Sequence, residues 1–176
     1  MLFRSCEYFQ GHKTICPSIV FSDNKKAYVL ERAKNLNIKS QYFNYNTTPP
    51  KDLINLLQLN KITHIILAGY LRLIPNEITK LYNDKILNIH PSLLPKYGGK
   101  GYYGAMVHKS VLEAKENISG ISIHLVNEKY DDGKILFQKS IPVLKNDSID
   151  KLSARIHKLE YEFYPQIIEK YLLDKL

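Results

Sequence analysis

The chain has 176 residues, 44% of them hydrophobic and 24% charged, which predicts one globular domain over residues 1–176 with a sizeable core. Its formal net charge of +8 raises nucleic acid as a partner. Scattered lysines with interleaved acidic residues instead favour a basic surface for a small anionic substrate, and nucleic acid is disfavoured. No apolar run approaches the roughly 20 residues of a membrane span, and the start lacks the apolar core of a signal peptide. We therefore expect a cytoplasmic protein without a membrane partner.

Strand-like and helix-like segments alternate through the first half of the chain. Short runs rich in β-formers predict the strands, and segments with one apolar face predict the helices between them. This alternation is typical of a parallel sheet with right-handed crossovers. The predicted strands are 15–21, 41–45, 63–68 and 85–90, and the predicted helices are 26–35, one opening at Thr47, and 76–82.

The second half predicts a different sheet geometry. A glycine-rich loop leads into a helix over 103–116, and two strands, 121–126 and 135–143, follow with only a turn at 130–133 between them. Strands this close in sequence are expected to be antiparallel. A long helix over 149–173 closes the chain, with a core stripe of Leu152, Ile156, Leu159, Phe163 and Ile167.

An amide and an imidazole stand side by side where the strand over 85–90 ends. Side chains alternate along a strand, so Asn88 and His90 point to one face before Pro91 turns the chain outward. Open α/β sheets bind ligands at this end of their strands. An amide N–H stabilises a developing oxyanion, and an imidazole moves protons near neutral pH. The pair therefore indicates a reaction at a carbonyl carbon.

Other polar residues surround this motif in the predicted fold. Asp131 lies in a tight turn, where its carboxylate could hold an imidazole. His157 and Glu160 lie beside the apolar stripe of the last helix, where Glu160 could instead pair with a lysine or arginine. His124 is interpreted as a packed core histidine with satisfied hydrogen bonds, and His108 as a residue on a helix surface. Cys6 and Cys16 lack metal-ligand spacing, so no metal site is expected.

The combined motifs resemble the phosphoribosylglycinamide formyltransferase family of folate-dependent enzymes. The resemblance runs from about Ile19 to Pro165 and implies a Rossmann-like, three-layer fold, mostly parallel with an antiparallel carboxyl-terminal portion. It implies formyl transfer from 10-formyltetrahydrofolate, as co-substrate, to the amine of 5'-phosphoribosylglycinamide in purine biosynthesis. The residues that carry it are Leu67 to Arg72, Asn88 to Pro95, Gly120 to His124, Asp131 to Gly133, and Arg155 to Glu160.

The resemblance also implies roles for individual residues. Asn88 would stabilise the formyl oxygen, His90 would act as the acid-base group, and Asp131 would hold His90 and an ordered water. Glu160 would bind the substrate amine, with His157 near its phosphate, and no metal would be needed. The residues that would enclose the folate pteridine are Tyr70, Leu71, Arg72, Leu73, Ile74, Asn88 and Val126.

The amino-terminal part departs from the family pattern. The family begins with a hydrophobic strand and a glycine-serine-rich loop that binds phosphate, whereas here Gly11 is the only glycine before Gly69. We therefore expect an amino-terminally incomplete domain that lacks the first strand, with Arg4 to Phe9 as the remainder of the first helix and weak phosphate binding. Two alternatives stay open: formyl transfer to another amine, such as an amino sugar nucleotide, and a folate-binding remnant without catalysis. A homodimer also stays open.

Overall fold

The structure is a computed structural model that describes residues 2–176, with side chains from residue 4 onward. Helices and strands alternate through most of the chain, and two adjacent strands precede the last helix. In chain order the elements are α1 (Leu2–Tyr8), β1 (Ile19–Ser22), α2 (Tyr28–Asn35), β2 (Lys39–Tyr42), α3 (Pro50–Leu59), β3 (Ile65–Leu67), α4 (Asn76–Leu81), β4 (Ile86–His90), α5 (Ala105–Glu113), β5 (Ile118–Leu125), β6 (Ile135–Pro142) and α6 (Ile149–Leu172).

The strands form two separate sheets. In the smaller sheet β1 and β2 are parallel, and in the larger sheet the order is β3-β4-β5-β6. β3 and β4 are parallel, whereas β4 with β5 and β5 with β6 are antiparallel. The predicted fold class, with its parallel part and its antiparallel carboxyl-terminal part, is therefore confirmed. The absence of a first strand stays a prediction.

Two apolar layers cover opposite faces of the larger sheet. Leu87 and Ile89 of β4 belong to one core cluster, whereas Ile86 belongs to another, as the alternation of side chains along a strand requires. The first cluster contains the buried stripe of α6, which includes Leu152 and Ile156. Leu159 and Phe163 of the predicted stripe are only partly buried against this cluster.

Tyr164 connects α6 to the sheet through hydrogen bonds. Its side chain is fully buried, and its hydroxyl donates to the carbonyl oxygens of Leu67 at 2.6 Å and of Leu87 at 3.2 Å. A buried hydroxyl needs such partners, because an unpaired one costs about 1–3 kcal/mol. Tyr164 therefore fixes the final helix over neighbouring strands β3 and β4, next to the strand ends that carry Asn88 and His90.

Each predicted element is present, although several strands are shorter than predicted. The strand predicted over 63–68 comprises only Ile65–Leu67, and the one predicted over 41–45 lies at Lys39–Tyr42. The residues from Arg4 to Tyr8 are helical, as expected. Among the helices of residues 2–176, none is long and apolar enough to cross a membrane.

Candidate active site

Asn88 lies opposite His124 in the register of the antiparallel strands β4 and β5. The Nδ1 of His124 is 2.7 Å from the carbonyl oxygen of Leu125, to which it donates its proton. Nε2 of His124 is then an acceptor, and the Asn88 side-chain nitrogen donates to it at 3.1 Å. The second N–H of the Asn88 amide remains for a ligand. The prediction that His124 is a buried and satisfied histidine is confirmed, and its part in orienting Asn88 was missed.

His90 lies at the last position of β4 and is 4% exposed. Its Nε2 lies 2.7 Å from the carbonyl oxygen of Tyr97, so Nε2 carries the proton in the neutral ring. Nδ1 lies 3.5 Å from Oδ2 of Asp131 and is free to take up a proton. Burial lowers the pKa of His90, although the charge of Asp131 acts in the opposite direction. The ring is therefore neutral near pH 7.

Asp131 reaches the site from the turn between β5 and β6. Its backbone is left-handed, with φ of 51°, and its Oδ2 accepts a hydrogen bond of 2.9 Å from the Gly99 N–H. Burial alone would raise the pKa of this carboxyl. The imidazole of His124, the charge of His90 and the Gly99 N–H outweigh burial, so the pKa of Asp131 lies below its ordinary value. The structure thus places an ionised carboxylate beside Asn88, His90 and His124. The sequence predicted that Asp131 lies next to His90.

The turn that presents Asp131 depends on a glycine. A Cβ at Gly133 would lie 1.9 Å from the carbonyl oxygen of Leu125, a distance that no folded chain tolerates. Leu125 is also the residue whose carbonyl fixes the His124 ring. The glycine in the Asp-Asp-Gly motif therefore serves close backbone packing beneath the site.

A buried serine fixes the loop that follows His90, which the sequence did not reveal. Ser122 of β5 is fully buried and lies opposite His90 in the strand register. Its hydroxyl donates to the Ser92 carbonyl at 2.6 Å and accepts from the Leu94 N–H at 2.9 Å. Gln138 adds a hydrogen bond to the Leu94 carbonyl. This network holds the loop that carries the Tyr97 carbonyl against His90.

The expectation that His108 lies on a helix surface is wrong. Its side chain is 1% exposed, and its Nδ1 has no hydrogen-bond partner among the described residues. The helix α5 packs against α6, and Val107 and Val111 are buried with His108 on the packed side. Burial lowers the pKa of His108 to about 4, and the charges of His157 and His90 act in the same direction.

This buried histidine predicts a loss of stability in mild acid. In the unfolded chain a histidine titrates near its ordinary pKa of 6.5, whereas His108 titrates at about 4 in the folded protein. The unfolded state therefore binds more protons in this window, and the stability present above pH 6.5 is lost as the pH falls towards 4. We expect the difference in unfolding free energy between His108→Met and the wild type to change by about 2 kcal/mol, in favour of the variant, between pH 7 and pH 5. Urea denaturation at both pH values measures it, and parallel curves for the two proteins would contradict it.

Glu160 is buried in α6 without a salt bridge to lysine or arginine among the residues described. Its side chain is 4% exposed, its Oε2 lacks a hydrogen-bond partner, and that oxygen lies 3.9 Å from Nε2 of His157. Burial raises the pKa of Glu160 to about 7. The alternative that Glu160 only pairs across the helix surface is therefore wrong. His157 is half-exposed at its side, and burial lowers its pKa.

Five of the seven residues predicted to enclose the pteridine fall into two groups. Tyr70, Ile74 and Val126 belong to one apolar cluster beside the carboxyl end of β3, and burial raises the pKa of the Tyr70 hydroxyl. Arg72 is held by Asp23, since its Nε donates to Asp23 at 2.8 Å. Leu71 is exposed. The structure thus brings the first group together from two separate segments.

The fold is that of an open α/β domain, and the candidate site lies at the carboxyl ends of its strands, where such domains bind their ligands. Within residues 2–176, no group of three or more histidine, cysteine or acidic side chains is arranged to hold a metal ion. The chain belongs to the formyl transferase family, whose sequence profile matches residues 5–168. The family resemblance that the motifs indicated is confirmed.

Several similar proteins within this family are named phosphoribosylglycinamide formyltransferases. The chloroplastic protein of Vigna unguiculata is 47% identical over 120 residues, which cover 68% of this chain and 38% of that protein. The Haemophilus influenzae protein is 36% identical over 162 residues, covering 89% of this chain and 74% of that one. The crystal structure of the Anaplasma phagocytophilum protein superposes with a TM-score of 0.89 at 28% identity, covering 99% of this chain and 82% of that one. The chain spans only 38% and 41% of the length of two plant relatives.

Proposed function

We propose that the chain transfers a formyl group from 10-formyltetrahydrofolate to the amine of 5'-phosphoribosylglycinamide. The observation that carries this proposal is the arrangement of three groups at one strand end. A free amide N–H of Asn88, the basic Nδ1 of His90 and the ionised Asp131 share that end of β4. The names of the relatives of known sequence and structure, which are phosphoribosylglycinamide formyltransferases, support the substrate.

Asn88 stabilises the charge that develops on the formyl oxygen. When the amine attacks the formyl carbon, the carbonyl bond opens and negative charge builds up on its oxygen. The unpaired N–H of Asn88 donates a hydrogen bond to that oxygen, and His124 keeps the amide from rotating. A donor that is fixed before the reaction stabilises the transition state without reorganisation, which is the main advantage of such sites.

His90 transfers the proton between the two nitrogen atoms of the reaction. Its Nδ1 accepts the proton that the attacking amine loses, and it returns that proton to the folate nitrogen as the carbon–nitrogen bond breaks. The imidazolium formed in between lies 3.5 Å from the Asp131 carboxylate, which stabilises its charge. The products are the formylated amine and tetrahydrofolate, and the side chains return to their starting protonation states.

The substrates bind on either side of these groups in this proposal. The apolar cluster that contains Tyr70, Ile74 and Val126 provides the flat surface that a pteridine needs. Glu160 provides a buried carboxyl group without a hydrogen-bond partner on Oε2 in the described structure, which suits the N–H groups of the neutral amine that attacks the formyl carbon. His157, 3.9 Å from this carboxylate, lies close enough to contact the same substrate.

The direct test is a formyl-transfer assay with purified protein, 10-formyltetrahydrofolate and phosphoribosylglycinamide. The absorbance change of the folate measures the reaction. The same assay with an amino sugar nucleotide in place of the ribonucleotide tests the alternative that another amine is the acceptor. Calorimetry with a folate analogue and with the ribonucleotide tests the alternative of a folate-binding remnant without catalysis, which would bind the folate analogue and not the ribonucleotide. Folate binding with no transfer to either amine would overturn the proposed activity.

We expect Glu160→Gln to weaken amine binding while it stabilises the fold. The KM for the amine should rise about ten- to hundredfold, the loss typical of a hydrogen bond to a charged group. A buried carboxyl with a pKa of about 7, against 4.5 when unfolded, loses stability as the pH rises through 7. The neutral amide avoids this loss, so the variant should unfold at higher urea concentration at pH 8. Unchanged KM together with raised stability would show that Glu160 does not bind the amine.

We also propose a cytoplasmic location for the protein, and a homodimer remains a prediction. Two plant relatives are chloroplastic by name, so a plastid is the specific alternative. Microscopy of a fluorescent fusion of the complete gene product decides between the two compartments. Sedimentation at several concentrations tests the dimer.

A further inference from the structure

The tautomer of His90 depends on a backbone carbonyl in the loop after β4. Nε2 of His90 donates its proton to the carbonyl oxygen of Tyr97 at 2.7 Å, which leaves Nδ1 unprotonated and basic. Without this acceptor the proton also populates Nδ1, which lies 3.5 Å from Oδ2 of Asp131. A neutral ring protonated at Nδ1 cannot accept the amine proton there. The position of the Tyr97 carbonyl therefore decides whether His90 acts as a base.

Tyr97 has a backbone conformation that is unfavourable by itself. Its φ of 56° lies in the left-handed region, which a residue other than glycine keeps only where surrounding contacts determine it. The carbonyl of the preceding residue, Lys96, accepts from the Ser92 hydroxyl at 2.6 Å. Two residues after Tyr97, the Gly99 N–H donates to Asp131 at 2.9 Å. These contacts hold the chain on either side of Tyr97, and its side chain has an anchor of its own.

The anchor of the Tyr97 side chain is Glu116. The tyrosine hydroxyl donates to Oε1 of Glu116 at 2.9 Å, and the ring is partly buried against the first core cluster. Nζ of Lys96 donates to the same oxygen at 2.8 Å. The hydrogen bonds from Lys96 and Tyr97 lower the pKa of the Glu116 carboxyl, so this group is ionised at neutral pH. A charged acceptor binds a hydroxyl more strongly than a neutral one does.

The end of α5 fixes the position of Glu116. The Lys115 N–H donates to the Leu112 carbonyl at 3.0 Å, and Lys115 itself is left-handed, with φ of 52°. The Glu116 N–H then donates to the Val111 carbonyl at 3.2 Å. This pair of bonds around a left-handed residue is a common way to cap the carboxyl end of a helix. Val111 is buried in the first core cluster, so a well-packed helix determines where Glu116 lies.

We propose that Glu116 is a positioning residue for His90 and acts through Tyr97. The Glu116 carboxylate holds the tyrosine hydroxyl, the tyrosine keeps its left-handed backbone, and the Tyr97 carbonyl keeps the proton of His90 on Nε2. Two hydrogen bonds and the body of Tyr97 thus connect the end of α5 to the imidazole. The effect on catalysis rests on the proposed formyl transfer, whereas the tautomer of His90 is measured without any substrate.

Three variants separate this hydrogen bond from the rest of the loop. Tyr97→Phe removes the hydroxyl and retains the ring, and Glu116→Leu removes the acceptor. Glu116→Gln is the matched control, because its amide oxygen still accepts from the hydroxyl. In protein with isotope-labelled histidine, the NMR shifts of the two ring nitrogens of His90 report the tautomer above the pKa of the ring. We expect the proton on Nε2 in the wild type and in Glu116→Gln, and a mixture of both tautomers in the other two variants.

The pKa of His90 and the kinetics provide two further measurements. The hydrogen bond to Tyr97 raises the pKa of His90, so this pKa should fall in Tyr97→Phe and in Glu116→Leu. In both variants kcat should fall about three- to tenfold, the effect of one ordinary hydrogen bond, while the KM values stay unchanged. The titratable groups that interact with the His90 ring are not altered in these variants: Asp131, His124 and His108.

An unchanged tautomer in Tyr97→Phe would overturn the proposal. Equal impairment of Glu116→Gln and Glu116→Leu would overturn it too, since the effect would then come from the lost charge and not from the hydrogen bond to Tyr97. If Glu116→Leu fails to fold, Tyr97→Phe decides, because it leaves the end of α5 intact. A wild type without formyl transfer, in which Tyr97→Phe still changes the tautomer of His90, would refute the proposed activity and support the positioning role.

Discussion

Replacing His90 by alanine is expected to lower kcat for formyl transfer by about 10²- to 10⁴-fold, the usual contribution of a positioned acid-base group. The imidazole is buried at the end of β4, and its Nδ1 is the atom that accepts the proton in the proposed reaction. Its Nε2 is held by the Tyr97 carbonyl at 2.7 Å. Alanine removes the proton acceptor. The other imidazole near Asp131, that of His124, cannot replace it, because its Nε2, 3.6 Å from Oδ1 of Asp131, already accepts from Asn88. Steady-state kinetics with both substrates measures the loss.

The pH profile tests the role of His90 more sharply than the rate alone. Burial lowers the pKa of His90, so activity should rise with pH through a midpoint below 6.5 as the ring becomes neutral. Asp131 raises the pKa of His90, so Asp131→Asn should move that midpoint to still lower pH while kcat falls. His64→Ala is the control, because His64 precedes β3 at the opposite end of the sheet. An unchanged midpoint in Asp131→Asn would contradict the pairing of these two groups.

The sequence predicted the residues of the site better than their partners. Alternation along a strand is local, so it placed Asn88 and His90 on one face. Their orientation depends on Ser122 and on His124, which meet them only through the register between β4 and β5. No local pattern reports that register. The sequence therefore indicated the candidate catalytic groups and missed the contacts that hold them.

The burial of two polar residues, His108 and Glu160, could have been predicted from the sequence. His108 adjoins Val107 and precedes Val111, so it shares the apolar stripe of α5. Glu160 lies four residues after Ile156 and four before Tyr164, both fully buried in α6. Polar residues at such positions are buried by the helix period, whatever their type.

Replacing Asn88 by leucine is expected to lower kcat by about 10²- to 10³-fold, as removal of a single oxyanion donor does. Leucine has a similar shape and no N–H, so the formyl oxygen loses its hydrogen bond. Nε2 of His124, which accepts from Asn88 at 3.1 Å, loses its partner as well. We therefore expect the variant to be less stable by about 1–3 kcal/mol, which urea denaturation measures beside the kinetics.

His124→Phe separates the chemistry of Asn88 from its positioning. This variant retains the amide donor and removes the acceptor that prevents its rotation. We expect a smaller fall in kcat than in Asn88→Leu, with the KM for folate unchanged, because both ring nitrogens of His124 already have partners within the protein. The double variant should then be no slower than Asn88→Leu, since residues that act through one group do not contribute additively. Additive losses would mean that His124 acts on the reaction independently of Asn88, and a normal kcat in Asn88→Leu would exclude the oxyanion role altogether.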